Sequence, residues 1–216
     1  IPLYKVFNYI LKIIHTGMQW HQLSIEKNQY GMPEIHYTRI FKIYKRWVND
    51  GSIKAAFESS VKLLSQKNLL DLSILHGDGS STIAKKGGDN LGYSGHKHFK
   101  GEKIVALVDR NCNVIAPFTT APGNRHETTL FSNAFGHAKR ILKNIDKSLE
   151  NTVISLDAAY DSFKNRKRIF NSGMIPNIKE NPRNRINNKR GRKRIYNNNI
   201  FQERFFYSRT SFCLGR

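Results

Sequence analysis

The apolar run Val153–Leu156, which ends directly in Asp157, limits the possible folds more than any other feature of the chain. The run leaves almost no polar side to face water, which is typical of a strand that is covered on both faces. Helical spacing precedes it from Thr128 through Ile145 and follows it from Tyr160 to Phe170. Strands that come first, followed by alternating helix and strand, predict an α/β fold with a mixed sheet flanked by helices.

Further strands are predicted on either side of this run. They are Leu72–Leu75, which leads into His76, Gly77 and Asp78; then Lys103–Asp109 and Val114–Thr120; and finally Met174–Ile178. The turn between the second and third of these predicts a meander, with Asp109 as a turn residue. A last helix is predicted at Asn198–Phe212.

The first third of the chain has helical patterns only. Apolar residues recur at three- and four-residue steps from Leu3 to Ile14, and Gly17 supplies a stop. Two more helices are predicted near residues 35–48 and 53–64. Residues 1–66 therefore form a small helical region of helix-turn-helix size, and residues 67–216 form the α/β domain. Basic residues on the second helix could contact DNA, or they could be a solvated charged face.

The charge of the chain indicates its partner. Lys and Arg number 36 against 16 Asp and Glu, a formal net charge of +20. A polyanion is the expected partner, and double-stranded DNA is favoured over a membrane because no basic helix has a clean apolar side. No apolar stretch approaches the roughly 20 residues needed to cross a bilayer. Cys112 and Cys213 lack partners at metal-binding spacing, which favours idle thiols in a reducing compartment.

Asp78, Asp157 and Glu203 are the candidate metal ligands of this basic chain. Strand ends that meet at one edge of a sheet bring side chains together, and a helix across that edge could add a third carboxylate. Each acid is ambiguous alone. Asp78 before glycine could mark a turn, Asp157 could cap the next helix, and Glu203 could be a surface acid.

A run of cations precedes the last helix. It could be a solvated loop, but we prefer a loop that follows DNA beside the metal site, because grouped cations repel one another without a polyanion. The run consists of Arg183, Arg185, Lys189, Arg190, Arg192, Lys193 and Arg194.

Other polar residues offer weaker candidates. Asp161 could support the site, although capping or a surface charge is the alternative. Glu127 follows His126 at the predicted start of a helix. A negative charge is favourable at this positive end of the helix dipole, which favours a structural role for Glu127. His76, His96 and His98 could contact phosphate, but their spacing does not indicate a zinc site.

Taken together, these blocks resemble the DDE transposases of bacterial insertion sequences. The resemblance rests on "VFNYILKIIHTGMQWHQLS" with "IFKIYKRWVNDG", "LHGDGSS", "GEKIVALVDRNCNVI" with "APGNRHETTLF", "ISLDAAYDS" and "NNIFQERFF". It implies a ribonuclease-H-like catalytic domain over residues 67–216, with Asp78, Asp157 and Glu203 as the catalytic acids that hold Mg²⁺, for which Mn²⁺ could substitute. It also implies metal-dependent cleavage and strand transfer at transposon ends, a homo-oligomer assembled on DNA and a location at the bacterial nucleoid in the cytoplasm.

The last helix departs from the family pattern. Tyr196 matches the motif tyrosine, seven residues before Glu203, and joins the predicted DNA-binding set, whereas Asn199 and Thr210 replace the motif's Arg and Lys. The chain also begins inside a helix and ends in "SRTSFCLGR", which differs from the family's continuation, so truncation at both ends is expected. An inactive DNA-binding fragment and a nuclease of the same fold are the alternatives.

Overall fold

The computed structural model describes residues 1–84, 88–95, 97–181 and 194–203. The chain forms two compact units, Ile1–Phe57 and Glu58–Arg216. The predicted boundary at residues 66 and 67 falls later in the chain, because one helix, Ser52–Gln66, runs across the division. Among the described residues, none of the helices combines the length and the apolar character that a membrane span requires.

The first unit contains the predicted helices. Helix α1 is Leu3–Thr16, α2 is Tyr37–Asn49, and α3, Ser52–Gln66, begins in this unit; a short 3₁₀ turn occupies Trp20–Gln22. Helix α1 ends at Gly17 as expected, in the left-handed conformation at φ 66° that glycine adopts without steric cost. Val6, Ile10 and Ile40 are almost wholly buried between α1 and α2 and form the core of this unit.

A polar cluster fixes the connection between α1 and α2. The ammonium group of Lys5 binds Glu26 at 2.6 Å and Glu34 at 3.1 Å, and the hydroxyl of Tyr9 donates to Glu34 at 2.7 Å. The Tyr9 hydroxyl also accepts the backbone N–H of Glu26 at 3.0 Å. The hydrogen bond from Tyr9 is the main cause of the lowered pKa of Glu34. Two of the unit's acids are thus bound to a cation within the unit.

The second unit is built on a mixed sheet. Its strands are β1 (Ile74–Ile83), β2 (Gly92–Ser94), β3 (Phe99–Asp109), β4 (Thr119–Pro122), β5 (Val153–Leu156) and β6 (Ile175–Ile178). The order is β2-β3-β1-β5-β6, and β4 also pairs with β3. Strand β1 is antiparallel to β3 and parallel to β5, which is parallel to β6. This confirms the predicted α/β fold with a mixed sheet and a preceding helical region.

Helices α4 (Glu127–Asn144) and α5 (Phe163–Phe170) pack beside each other against the sheet. Leu130, Phe131, Phe135 and Ala138 are buried on α4, as its sequence period predicts. A Cβ atom on Gly79 of β1 would meet Glu127 of α4, so α4 lies on the face that carries Gly79. Leu75 and Gly77 belong to the same face, because alternate residues of a strand share a face. The other face carries His76 and Asp78 of β1.

Strand β1 is longer than predicted. It continues through Ile83, and Asp78 pairs with Ala106 in its interior, so the prediction that Asp78 ends the strand is wrong. Residues 79–82 are mostly polar, so the sequence pattern does not predict a strand there. Pairing with β3 stabilises this part of β1. The sequence pattern does not predict the short strand β2.

The meander also differs in detail from the prediction. The expected strand Val114–Thr120 is reduced to a bridge at Val114 and the strand β4, because Pro117 between them has no N–H to donate. Asp109 is the turn residue that the sequence predicts. It is fully buried and accepts the backbone N–H groups of Asp71 at 2.9 Å and Asn113 at 2.7 Å.

The helix expected from Tyr160 starts later. Ala158–Tyr160 form a 3₁₀ turn, and α5 begins at Phe163 because the side chain of Ser162 caps it through the N–H of Asn165. The last helix is described for residues 198–203. The side-chain oxygen of Asn197 accepts the N–H groups of Asn199 at 2.9 Å and Ile200 at 3.3 Å, which fixes its start close to the predicted position.

Candidate active site

Asp78 and Asp157 are neighbours across the parallel pair β1 and β5. Gly77 pairs with Leu156; Asp78 is the next residue of β1, and Asp157 directly follows the last residue of β5. Side chains alternate along a strand, so both aspartates belong to the face that is opposite α4. Adjacent strands lie about 4.8 Å apart, so the backbones of the two residues are close enough for both carboxylates to be candidate ligands of one cation. The sheet register therefore brings together two of the three predicted ligands.

The backbone around both aspartates is defined by local hydrogen bonds. Asp78 is exposed, and one of its carboxylate oxygens accepts the N–H of Gly79 at 2.8 Å. Asp157 is half-buried in extended backbone at φ −66° and ψ 160°. The side chain of Asp157 makes no capping hydrogen bond to the 3₁₀ turn that follows it. Asp157 therefore occupies the N-cap position of this turn without capping it through its side chain, and its role as a metal ligand stays a prediction.

Glu203 is bound to a cation of the protein. The guanidinium of Arg110 donates to its carboxylate from Nε at 2.9 Å and from Nη2 at 3.1 Å. Arg110 follows Asp109, which pairs with Leu75, three residues before Asp78 on β1. The arrangement described here does not bring Glu203 together with the two aspartates, and its role as third ligand stays a prediction.

The donor set fits a hard divalent cation in part. Within residues 1–84, 88–95, 97–181 and 194–203, no group of three His, Cys, Asp or Glu side chains is arranged to hold a metal ion. Mg²⁺ in phosphoryl-transfer sites is commonly bound through one or two carboxylates, with water and substrate phosphates as the other ligands. Asp78 and Asp157 supply that number of carboxylates on one face of the sheet.

A second group of polar side chains lies on the α4 side of the sheet, directly behind Asp78. A Cβ atom added to Gly79 would meet the carboxyl carbon of Glu127 at 2.7 Å and the Tyr160 hydroxyl at 2.9 Å. Lys103 pairs with Glu127 at 3.3 Å, and both side chains are mostly buried. The sequence indicated that Glu127 opens a helix, which is confirmed, but gave no sign of its contact with the strand of Asp78.

Asp161 is buried and bound on several sides. Its carboxylate pairs with Arg166 at 2.7 Å and Arg194 at 3.2 Å, and it accepts the N–H of Asn181 at 2.9 Å. Burial acts to raise the pKa of Asp161, but these donors outweigh it and lower the pKa. Asp161 is therefore a buried structural acid, and the surface-charge alternative is wrong.

The predicted DNA-binding residues are described only in part. The guanidinium of Arg194 forms ion pairs with Asp161 and, at 3.6 Å, with Glu180. The Tyr196 hydroxyl lies 3.4 Å from the side-chain oxygen of Asn198, and its ring contacts Phe201. His76 is 3% exposed within β1, which leaves it no access to a phosphate in this arrangement. His98 is exposed, and a phosphate contact by it stays a prediction. The other predicted residues lie outside the described parts of the chain: Arg183, Arg185, Lys189, Arg190, Arg192, Lys193 and His96.

Comparison with known proteins identifies the family of this chain. A family model described as "Transposase DDE domain" matches residues 64–214. None of the curated proteins matches the sequence. Among solved structures, the chain is similar to one titled "Mos1 transposase paired-end complex with left transposon end", with 11% sequence identity and a TM-score of 0.35. The match covers 82% of this chain and 59% of that chain. Because the family model covers more than half of the sequence, the chain belongs to the DDE transposase family.

Proposed function

We propose that the protein cleaves DNA at the ends of an insertion sequence and joins the freed 3′ ends to target DNA, in a reaction that depends on a divalent metal ion. The observation that supports this proposal is the register of β1 and β5, in which Gly77 and Leu156, the residues directly before Asp78 and Asp157, are paired. Membership of the DDE transposase family supports the same chemistry.

In this proposal, Asp78 and Asp157 hold Mg²⁺, and Glu203 joins them after it leaves Arg110. A bound divalent ion would activate the attacking oxygen and stabilise the leaving one in an in-line displacement. The protein's own contribution is to orient the two carboxylates and to bind the phosphate backbone around them with its excess of Lys and Arg.

Helix α2 of the first unit is the proposed DNA-binding element of that unit. It contains no acidic residue, and Arg39, Lys42 and Arg46 are all exposed on it. Positions spaced by three and four residues lie on one helical face, so these cations form a single stripe. A helix of this kind can lie in the major groove and bind phosphates beside it.

The test is cleavage of supercoiled plasmid DNA in Mg²⁺ or Mn²⁺, together with transfer of a labelled oligonucleotide into the plasmid. We expect both products from the wild-type chain, and neither from Asp78→Asn or Asp157→Asn. The exposed Asp89→Asn variant is the matched control and should retain both activities. Cleavage without joining would identify a nuclease of the same fold, and DNA binding without either product would identify an inactive fragment.

A further inference from the structure

We propose that the first turn of α4, through Glu127 and Thr128, is a positioning element that fixes the separation of Asp78 and Asp157 from the opposite face of the sheet. This inference rests on the proposed function, because it concerns the same pair of carboxylates. It assigns to α4 a part in metal affinity, and it does not make Glu127 a ligand.

The first contact is between Glu127 and the backbone that follows Asp78. Gly79 has no side chain, and the space that its Cβ would fill is occupied by the Glu127 carboxylate and the Tyr160 hydroxyl, at 2.8 and 2.9 Å from that point. The N–H of Gly79 donates to the carboxylate of Asp78 at 2.8 Å. A shift of Gly79 would therefore move both the backbone and the carboxylate of Asp78.

The second contact is between Thr128 and the turn that follows Asp157. The hydroxyl of Thr128 donates to the backbone carbonyl of Ala159 at 2.6 Å. Within that turn, the N–H of Tyr160 donates to the carbonyl of Asp157 at 3.0 Å. Consecutive residues of one helical turn thus hold the chain segments next to both aspartates.

The surroundings make this connection rigid. Tyr160 is fully buried, and its backbone carbonyl accepts the side-chain amide of Asn165 on α5 at 3.1 Å. Lys103 on β3 holds the Glu127 carboxylate at 3.3 Å, with side-chain exposures of 16% and 21% for the two residues. Glu127 is therefore fixed by the strand that pairs with β1 while it packs against β1 itself.

A metal site requires its ligands at a fixed separation, and groups that orient the ligands commonly change metal affinity by about 10- to 100-fold when they are removed. The first turn of α4 meets this description for both aspartates at once. Loss of the Thr128 hydroxyl or of the Glu127 charge should loosen the pair without removing a carboxylate from the metal face.

The experiment is a titration of the full chain with Mn²⁺ alone, followed by electron paramagnetic resonance, for the wild type, Thr128→Val and Glu127→Gln. Both substitutions conserve side-chain shape. Thr129→Val is the matched control, because Thr129 is the exposed neighbour whose hydroxyl donates only within its own turn, to the carbonyl of His126. Melting temperature without metal is measured for each variant.

We expect the Mn²⁺ dissociation constant to rise about tenfold or more in Thr128→Val and in Glu127→Gln, and to stay unchanged in Thr129→Val. Unchanged affinity in both variants, with or without a lower melting temperature, would overturn the proposal. If one variant does not fold, the result from the other decides.

The same titration separates this inference from the proposed function. If the wild type binds Mn²⁺ and Asp157→Asn does not, the carboxylate site exists and the variants of α4 test the positioning element alone. If the wild type does not bind Mn²⁺, or if Asp157→Asn binds it equally well, the carboxylate site itself is wrong and the positioning element is overturned with it.

Discussion

Asp161 and Arg166 form an ion pair at 2.7 Å in which the side chain of Asp161 is only 2% exposed. The same carboxylate binds Asn181 and Arg194, which flank residues 182–193 of the basic run. Asp161 lies four residues after Asp157. One buried acid thus connects the segment after Asp157 to the described residues on both sides of 182–193.

Removal of Asp161 should strongly destabilise the protein. In Asp161→Ala the guanidinium of Arg166 would remain mostly buried without its anion, and such a loss costs about 3–5 kcal/mol of unfolding free energy. Urea denaturation followed by circular dichroism measures this quantity. The exposed Asp89→Ala variant should change it by less than about 0.5 kcal/mol. An equally small effect for Asp161→Ala would contradict the structural role given to this acid.

The stabilisation by Asp161 should also depend on pH. The pKa of this acid is lowered in the folded protein, so its contribution is complete above its unfolded value of about 3.9 and is lost as the pH falls through the folded value. Asp109 has the opposite effect on the pH dependence of the unfolding free energy, because burial raises its pKa. We therefore compare the wild type with Asp161→Asn and expect their difference in unfolding free energy to shrink below about pH 4. A difference that stays constant to lower pH would contradict this sign.

Periodicity and turn residues were sufficient to predict most of the elements. The run before Asp157, the core of α4 and the stop at Gly17 depend on residues close together in sequence, so they are visible without the fold. The extension of β1 through Ile83 is different, because the polar residues after Asp78 become a strand only when they pair with β3.

The site was predictable to the same extent. That Asp78 and Asp157 follow strand-like runs is a local fact, whereas the pairing of the residues before them, Gly77 and Leu156, depends on the sheet order. The contact of Glu127 with Gly79 joins segments far apart in the chain, and only a three-dimensional arrangement shows it. The ion pair between Arg110 and Glu203 could not be anticipated for the same reason.

Release of Glu203 from Arg110 should strengthen metal binding. The pair is partly exposed, at 39% for Arg110 and 27% for Glu203, and such pairs contribute only about 0–1 kcal/mol. Arg110→Gln should therefore change the melting temperature little and lower the Mn²⁺ dissociation constant, because the third carboxylate no longer has a competing cation. Arg46→Gln, an exposed position on α2, controls for the change in net charge. Weaker Mn²⁺ binding in Arg110→Gln would indicate that Glu203 is a structural residue.

Two glycines provide a matched test of strand pairing. A Cβ atom on Gly101 of β3 would collide with the backbone carbonyl oxygen of Thr82 on β1, whereas a Cβ on Gly136 of α4 would meet nothing within 4 Å. We expect Gly101→Ala to lower the melting temperature markedly, because rigid backbone would have to move. Gly136→Ala should be neutral or stabilising by about 0.5–1 kcal/mol, since alanine favours a helix. Similar melting temperatures for the two variants would show that the β1–β3 register near Gly101 is wrong.

The cationic stripe of α2 should bind phosphates of the DNA backbone. Each phosphate contact on duplex DNA adds about 0.9 to the slope of log affinity against log salt. A variant with Arg39, Lys42 and Arg46 all changed to Gln would lose three contacts, which should flatten the slope by about 2.7.

The matched control changes three other exposed cations of the same unit, Lys12, Lys27 and Lys54, to Gln. Both variants lose the same charge, so a general effect of net charge would flatten both slopes equally. Only direct contact by α2 would flatten the first slope more than the second, measured by fluorescence anisotropy on one duplex between 50 and 200 mM salt. Equal slopes would indicate that Arg39, Lys42 and Arg46 are solvated surface charges that do not contact DNA.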